Sequence, residues 1–573
     1  MASYWLTVLS LTSVVTAAFH TNLNYASPSR RHPSLGIDLP KVAKRSSALR
    51  ARTWDPSALN FTHGVASGDP LPNAVILWTR ISPTTKNDAS NVTVEGNVPL
   101  YNHDTETYIK ASSNLVCVEY QIGADKNFSA IVDKGTVYTT SDIDYTVKVE
   151  AKNLQPFTQY YYQFNVCGSS NKSPLGRTKT SPGPDDDVTK VGLAVYSCSN
   201  YPNGYFNAYG NAARKDNVDY VIHLGDYIYE TGKGTLGKDP RATNPSDEIF
   251  TLYDRTDLDL LLSHRQYAWI PVWDDHEVSN NGYRDGSSGL NNTEDSFRKD
   301  GGVSVDQRKM NAVRAYFEWM PIRQVDMDDN LRIWRTFQIG KLFDLIILDT
   351  RNYDRSITTL NWNDDYVAEL IDDASRSLMG SHQENWFYGQ LSKSAQRGAT
   401  WRIIGNQIVF SRLNNTARSS DWLNADQDEM PYDQITGAGS VGVEFAGTAV
   451  SSSGYAPNIT YGNVEAAGLV RDNKELQWTE GYYRGYYELQ ISSSEITANY
   501  FGCPTVAFRN PLEISLANFT VLAGANHLKR SVANGTVENG ALQRGSVKQT
   551  NLTRNTETGA WNVTHFNQMY IKY

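Results

Sequence analysis

Hydrophobic and polar residues alternate over the first third of the chain. VCVEYQIG (116–123), YTVKVEA (145–151) and QYYYQFNVCG (159–168) place apolar residues at every second position, with turn residues between the runs. Pro156 shortly precedes the tyrosine-rich run. This pattern predicts an antiparallel β-sandwich of immunoglobulin/fibronectin-like type over residues 56–180. Cys117 and Cys167 both fall on its strands and can bridge its two sheets. SPGPDDDVTK, Ser181 to Lys190, reads as a linker. Past it the texture changes. VGLAVYSC, DYVIHLGD, WIPVWDD, LFDLIILDT and WRIIGNQIVF are continuous apolar runs, as strands covered on both faces require. Helical segments alternate with them. Met310, Val313, Phe317 and Met320 share one helix face that stops at Pro321. Ser381 and Glu384 read as a capping box ahead of Trp386, Phe387 and Leu391. Residues 190–505 are therefore expected to form an α/β domain, and 506–573 a C-terminal tail with weak strand signals.

The chain has 573 residues, enough for two or more cores, with 40% hydrophobic residues. Its net charge is −9, and no basic stretch or face stands out. That argues against nucleic acid as the main partner, though not against a nucleotide substrate. Residues 1–18 resemble a secretory signal, with an apolar core from Trp5 to Val15 and small residues at Ala17 and Ala18. The run is short for a membrane span, and no later run is long enough. Residues 19–55 then form a lead-in or propeptide, with Lys44-Arg45 as a candidate processing site. Eleven Asn-x-Ser/Thr sequons, Asn60 and Asn127 among them, fit a secreted glycoprotein of the extracellular space or cell wall. Four cysteines do not make a disulfide scaffold.

Three strand ends carry the chemistry. Cys198 closes VGLAVYS, Asp226 follows DYVIHLG, and Trp273-Asp274-Asp275-His276-Glu277 follows WIPV. The ends of strands in an α/β sheet are where ligands usually bind. Gly225 lets the chain turn sharply, and the Asp226 carboxylate has two oxygens with which to bridge two cations. Tyr229 can offer a phenolate to a hard ion, and Cys198 a thiolate to iron or zinc. Against this, Cys198 can be a buried thiol or a disulfide partner of Cys503, and a Gly-Asp pair can be an ordinary turn. Two adjacent carboxylates at a buried strand end call for a cationic partner, with Asp275 the favoured ligand. His276 can stabilise a transition state or protonate a leaving oxygen. Arg351, after LFDLIILDT, can hold a phosphate oxygen or form a structural ion pair. A site holding more than one metal activates water for attack on phosphorus, which points to a metal-dependent phosphoesterase acting on phosphate esters.

The order FTHGVASGDPLPNAVILWTRISP, SCSNYPNGYFNA, VDYVIHLGDYIYE, VWDDHEVSNN, FEWMPIR, LDTRNYDR, LMGSHQENWF, GNQIVFS and VGVEFAGT resembles the alkaline phosphatase D (PhoD-like) family, its secreted fungal branch most. The resemblance implies a calcineurin-like domain of two facing sheets flanked by helices, behind an N-terminal sandwich. It implies ferric iron held by Cys198, Asp226 and Tyr229, with Asp226 bridging to calcium and Asp275 as a further ligand. Other divalent metals fit the same donors. Asn200, His276 and Arg351 are then the candidate catalytic residues, for hydrolysis of phosphomonoesters and phosphodiesters.

The chain departs from that family in one place. Members usually carry a strand ending in GD-x-H between the GNQ and VGVEF segments, which supplies late metal ligands. Here RLNNTARSSDWLNADQDEMPYDQITGAGS leads directly from Ser411 to Val441, with no GD-x-H and no room for the usual helix and strand. Two expectations follow: a phosphatase with a reduced metal site, or an extracellular binding protein whose site has degenerated.

Overall fold

The computed structural model describes residues 21–26, 54–82, 101–102, 107–108, 115–229, 257–288, 304–411, 413, 432–532, 537–548, 551–558, 561–564 and 568–570, less 141–142, 327–328, 330, 361–362 and 455. The continuous apolar runs become the middle of a mixed 10-stranded sheet. Lys190–Tyr196, Tyr220–His223 and Ala268–Pro271 run parallel side by side. Leu193 pairs with Tyr220, and Tyr220 with Ala268, so the three strands end level with one another. Arg484–Ser492, Glu495–Cys503 and Leu512–Leu522 extend the sheet antiparallel on one side. The segment 512–522, placed in the tail by its sequence, is thus an 11-residue strand of the main sheet. Its two-sided burial comes from core residues Ile514, Leu516, Ala517, Phe519 and Val521.

A second sheet of Arg335–Ile339, Phe343–Ile347 and Trp401–Gly405 shares one core with the first. The expected two facing sheets are present, with helices outside them. Val305–Trp319 forms where predicted, buries Val313 and Phe317, and ends ahead of Pro321. The expected capping box does not form. Helix Gly380–Gln396 begins before Ser381, and the Ser377 hydroxyl accepts from the Gly380 amide at 2.7 Å instead. GNQIVF and VGVEF do not continue as strands, for the strand stops at Gly405. Gln407 turns its side chain onto the neighbouring strand end, donating to Leu348 O at 2.7 Å and accepting from Thr350 N at 2.9 Å.

The sandwich is present but is not a separate body. One layer is a four-stranded sheet of Ile131–Thr139, Val116–Gly123, Gln159–Val166 and Gly176–Lys179. The facing layer, Val65–Gly68, Val75–Arg80 and Thr146–Ala151, is the far end of the main sheet, joined to it where Ser67 pairs with Ala268. Val75, Leu77, Val147 and Val149 meet Val118, Ile122, Tyr162 and Phe164 between the layers. The buried Arg335–Asp69 pair, 2.6 Å, ties the junction to the second sheet. Cys117 and Cys167 are bonded, but across neighbouring strands of one layer rather than between layers. The register decides this: Val118 lies opposite Val166, so the cysteines are side by side.

Candidate metal centre and active site

The level ends of the three parallel strands bring distant residues together. Backbone bonds zip the emerging loops, with Cys198 N donating to Gly225 O (3.1 Å) and Ser199 N to Asp226 O (2.8 Å). Gly225 has φ +102°, and a Cβ there would stand 2.1 Å from the Asp274 nitrogen. The Gly-Asp turn can therefore lie against Trp273-Asp274 only with glycine at 225. Cys198 (φ 62°) and Asp226 (φ 55°) both adopt the left-handed region without being glycine. Such strain persists where the surroundings enforce it, often at working sites.

Asp226 is the hub. Its Oδ2 accepts from the Tyr229 hydroxyl at 2.8 Å and lies 3.4 Å from the Cys198 sulfur, while Oδ1 faces the His276 amide at 3.3 Å. Ligand atoms of Asp226, Asp275 and His276 lie within 4.8 Å of one another, a group able to hold a metal ion. The His276 ring lies over Tyr229, with centroids 4.2 Å apart. Arg351 does not point away from these acids; it pairs with Asp274 through Nε at 2.5 Å and with Asp275 through Nη2 at 2.8 Å. Asn200 sits beside the cluster, 8% exposed, and its Oδ1 has no hydrogen-bond partner among the described residues.

The charge balance is uneven. Burial pushes the Asp226 carboxyl up to about 6, with His276 opposing and Asp275 adding to the shift. Burial, reinforced by the Asp226 charge, also holds Asp274 well above the carboxylate range. Asp275 stays below it, because Arg351 and His276 together outweigh its burial. Burial, then neighbouring negative charge, raises the Cys198 thiol and the Tyr229 phenol well above their usual values. In protein surroundings alone, thiol and phenol keep their protons; a bound cation inverts that preference. The donors therefore fit cations: Asp226, Asp275 and His276 form a group able to hold one, and the Cys198 thiol and Tyr229 phenol flank Asp226.

Some residues that shape the site gave no chemical signal in the sequence. Glu277 accepts from Tyr227 N at 2.5 Å and from Asp274 N at 2.8 Å, so it clamps the loops of Asp226 and Asp274 together. Burial, then the Asp226 charge, pushes it up to about 8. The late segment 450–452 also returns here, with Val450 N on Ser197 O and Ser452 N on Cys198 O. Asp349, at the end of the LFDLIILDT strand, is held away from this cluster: it accepts from Trp273 Nε1 at 2.6 Å and from the amides of Arg351 and Asn352. Asp426 and Asp428, acids in the stretch that lacks GD-x-H, lie outside the described residues.

A family model described as PhoD-like phosphatase matches residues 193–432 and 420–500, and one described as its N-terminal domain matches 46–182. The chain belongs to the PhoD-like phosphatase family. It is similar to alkaline phosphatase D of Bacillus subtilis (strain 168), 29% identical over 541 residues, with 86% of each chain covered. A solved structure of PhoD superposes with a TM-score of 0.63 at 26% identity, covering 85% of this chain and 94% of that one. Membership makes the chain a phosphatase, a hydrolase whose substrate is a phosphate ester. The catalytic-domain match breaks into two pieces that meet at 420–432, inside the stretch where GD-x-H is lacking. No helix among the described residues is long and apolar enough to cross a membrane.

Proposed function

We propose that this chain is a secreted, metal-dependent phosphomonoesterase and phosphodiesterase of the alkaline phosphatase D type. Cys198, Asp226 and Tyr229 would hold ferric iron, and Asp226 and Asp275 would supply carboxylates to a neighbouring calcium. The observation that carries the reading is Asp226 itself. One buried carboxylate shares its oxygens with a phenol and a thiol, beside Asp275 and His276 and short of positive charge. When bound, the metals supply Lewis acidity toward a phosphoryl oxygen and acidify water. Arg351 orients Asp274 and Asp275 and balances their charge. His276, on the rim of the acid cluster, is placed to give a proton to the leaving oxygen. Asn200, whose buried Oδ1 has no hydrogen-bond partner among the described residues, is a candidate donor to metal or acceptor from water. The sequons and the apolar N-terminus support export.

A second reading, a binding protein with a degenerate site, draws support from the missing GD-x-H. Next to that stretch Val409, Phe410 and Val441 are exposed at 52%, 78% and 79%, as if a covering element were gone. An assay panel of aryl monoesters and diesters, with and without chelator, separates the two. Turnover that chelator abolishes supports the enzyme; metal-loaded protein without turnover supports the binding protein.

A further inference from the structure

LDTRNYDR ends in two arginines, Arg351 and Arg355, that the structure uses differently. Arg351 spends its guanidinium on Asp274 and Asp275. The Arg355 guanidinium makes one hydrogen bond among the described residues, a long one from Nη1 to Gly282 O at 3.3 Å, and no ion pair. Its backbone is pinned where Arg284 N donates to Arg355 O at 2.9 Å. Gly282 locates the guanidinium. A Cβ on that glycine would stand 3.8 Å from the Asp275 Cβ and 3.4 Å from Asn352 Oδ1. Asn352 is 1% exposed, and that Oδ1 also lacks a hydrogen-bond partner among the described residues. The Arg355 charge is thus half-buried, within electrostatic reach of Asp274 and Asp275, with most of its N–H donors unused among the described residues. A guanidinium in that state is costly without an anion, and its flat fork matches two oxygens of one phosphoryl group.

We propose that Arg355 grips the substrate phosphoryl group through two non-bridging oxygens, and that Arg351 is a positioning residue for the acid pair. This rests on the phosphoesterase reading above and names a residue and a preference within it. Burial, then Arg351, pushes the Arg355 guanidinium down to about 10, which leaves it charged at neutral pH. Both ester classes keep two non-bridging oxygens for the fork, but a monoester dianion carries one more negative charge than a diester, and a half-buried guanidinium favours the more highly charged group.

The test uses the full metal-loaded chain and inorganic phosphate as the probe. Arg355→Ala should raise the phosphate dissociation constant and the aryl-monoester KM about tenfold or more, with kcat changing less. Metal content should stay at the parental level, and the diester KM should move by about threefold or less. Arg355→Lys keeps the charge and loses the fork, so phosphate should bind about fivefold more weakly than in the parent. It also serves as the test if the alanine variant does not fold. Unchanged phosphate affinity in either folded variant, with an active metal-loaded parent, overturns the role of Arg355 and leaves the enzyme reading standing. A metal-loaded parent that binds no phosphate overturns both.

Discussion

Cys198, Asp226 and Asp275 were readable in the sequence as candidate site residues because each stands where an apolar run breaks into polar residues. A chemical side chain at the end of a buried strand needs a reason. Glu277 and Arg355 were not legible in the same way. Their roles depend on backbone groups of other loops, Tyr227 and Asp274 for one and Gly282 for the other. Glu480, remote from the acid cluster in sequence, shows the electrostatics in simpler form. It accepts from the amides of Tyr482 and Tyr483, and burial pushes it up to about 7 despite those bonds. Since its folded value lies above its unfolded one, the folded state holds the proton more tightly. Stability from this group is complete at low pH and is lost as pH rises from about 4.5 through about 7. The loss is on the order of 3 kcal/mol at most. Glu480→Gln should flatten the urea-unfolding free energy across that window. A variant that keeps the parental slope would show that other groups set it.

Among elements, the three parallel strands were readable from continuous hydrophobicity, and the sandwich strands from alternation. Leu512–Leu522 was read as tail because Asn518 and Thr520 dilute its pattern. Its place in the sheet is fixed by pairing with Glu495–Cys503. The element with the greatest functional consequence is one the chain lacks. Trp401–Gly405 closes one edge of the second sheet, with Ile404 44% exposed. Edge strands with apolar exposure lose stability and invite association. The amides of Phe410 and Ser411 are capped by the Glu444 carboxylate, at 2.7 and 2.9 Å. A family-like insert carrying GD-x-H between Asn414 and Tyr432 should raise aryl-phosphate turnover about a hundredfold or more, by restoring late ligands. It should also reduce aggregation on storage. Equal turnover with and without the insert would show that the shortened chain has a complete site.

At the scale of the molecule, two domains were expected on either side of a linker, and the sheet instead runs through both. Val65–Gly68 pairs with Ala268–Pro271 across some two hundred residues of sequence, a partnership its short VASG text does not announce. Trp78 donates to Glu318 O at 2.8 Å, and Arg335 holds Asp69, so polar contacts cross the junction as well. The chain should therefore unfold in one calorimetric transition, with sandwich and site lost together. Two separated transitions would mean that the shared sheet does not couple them. The central claim is that Asp226 joins two metals with Cys198 on the iron side. Elemental analysis of the purified parent beside Cys198→Ser and Asp226→Asn, with aryl-phosphate turnover on the same samples, tests it most directly. The account predicts iron and calcium in the parent, a selective loss of iron in Cys198→Ser, and loss of both metals and of turnover in Asp226→Asn. Parental metal content and turnover in Asp226→Asn would contradict it.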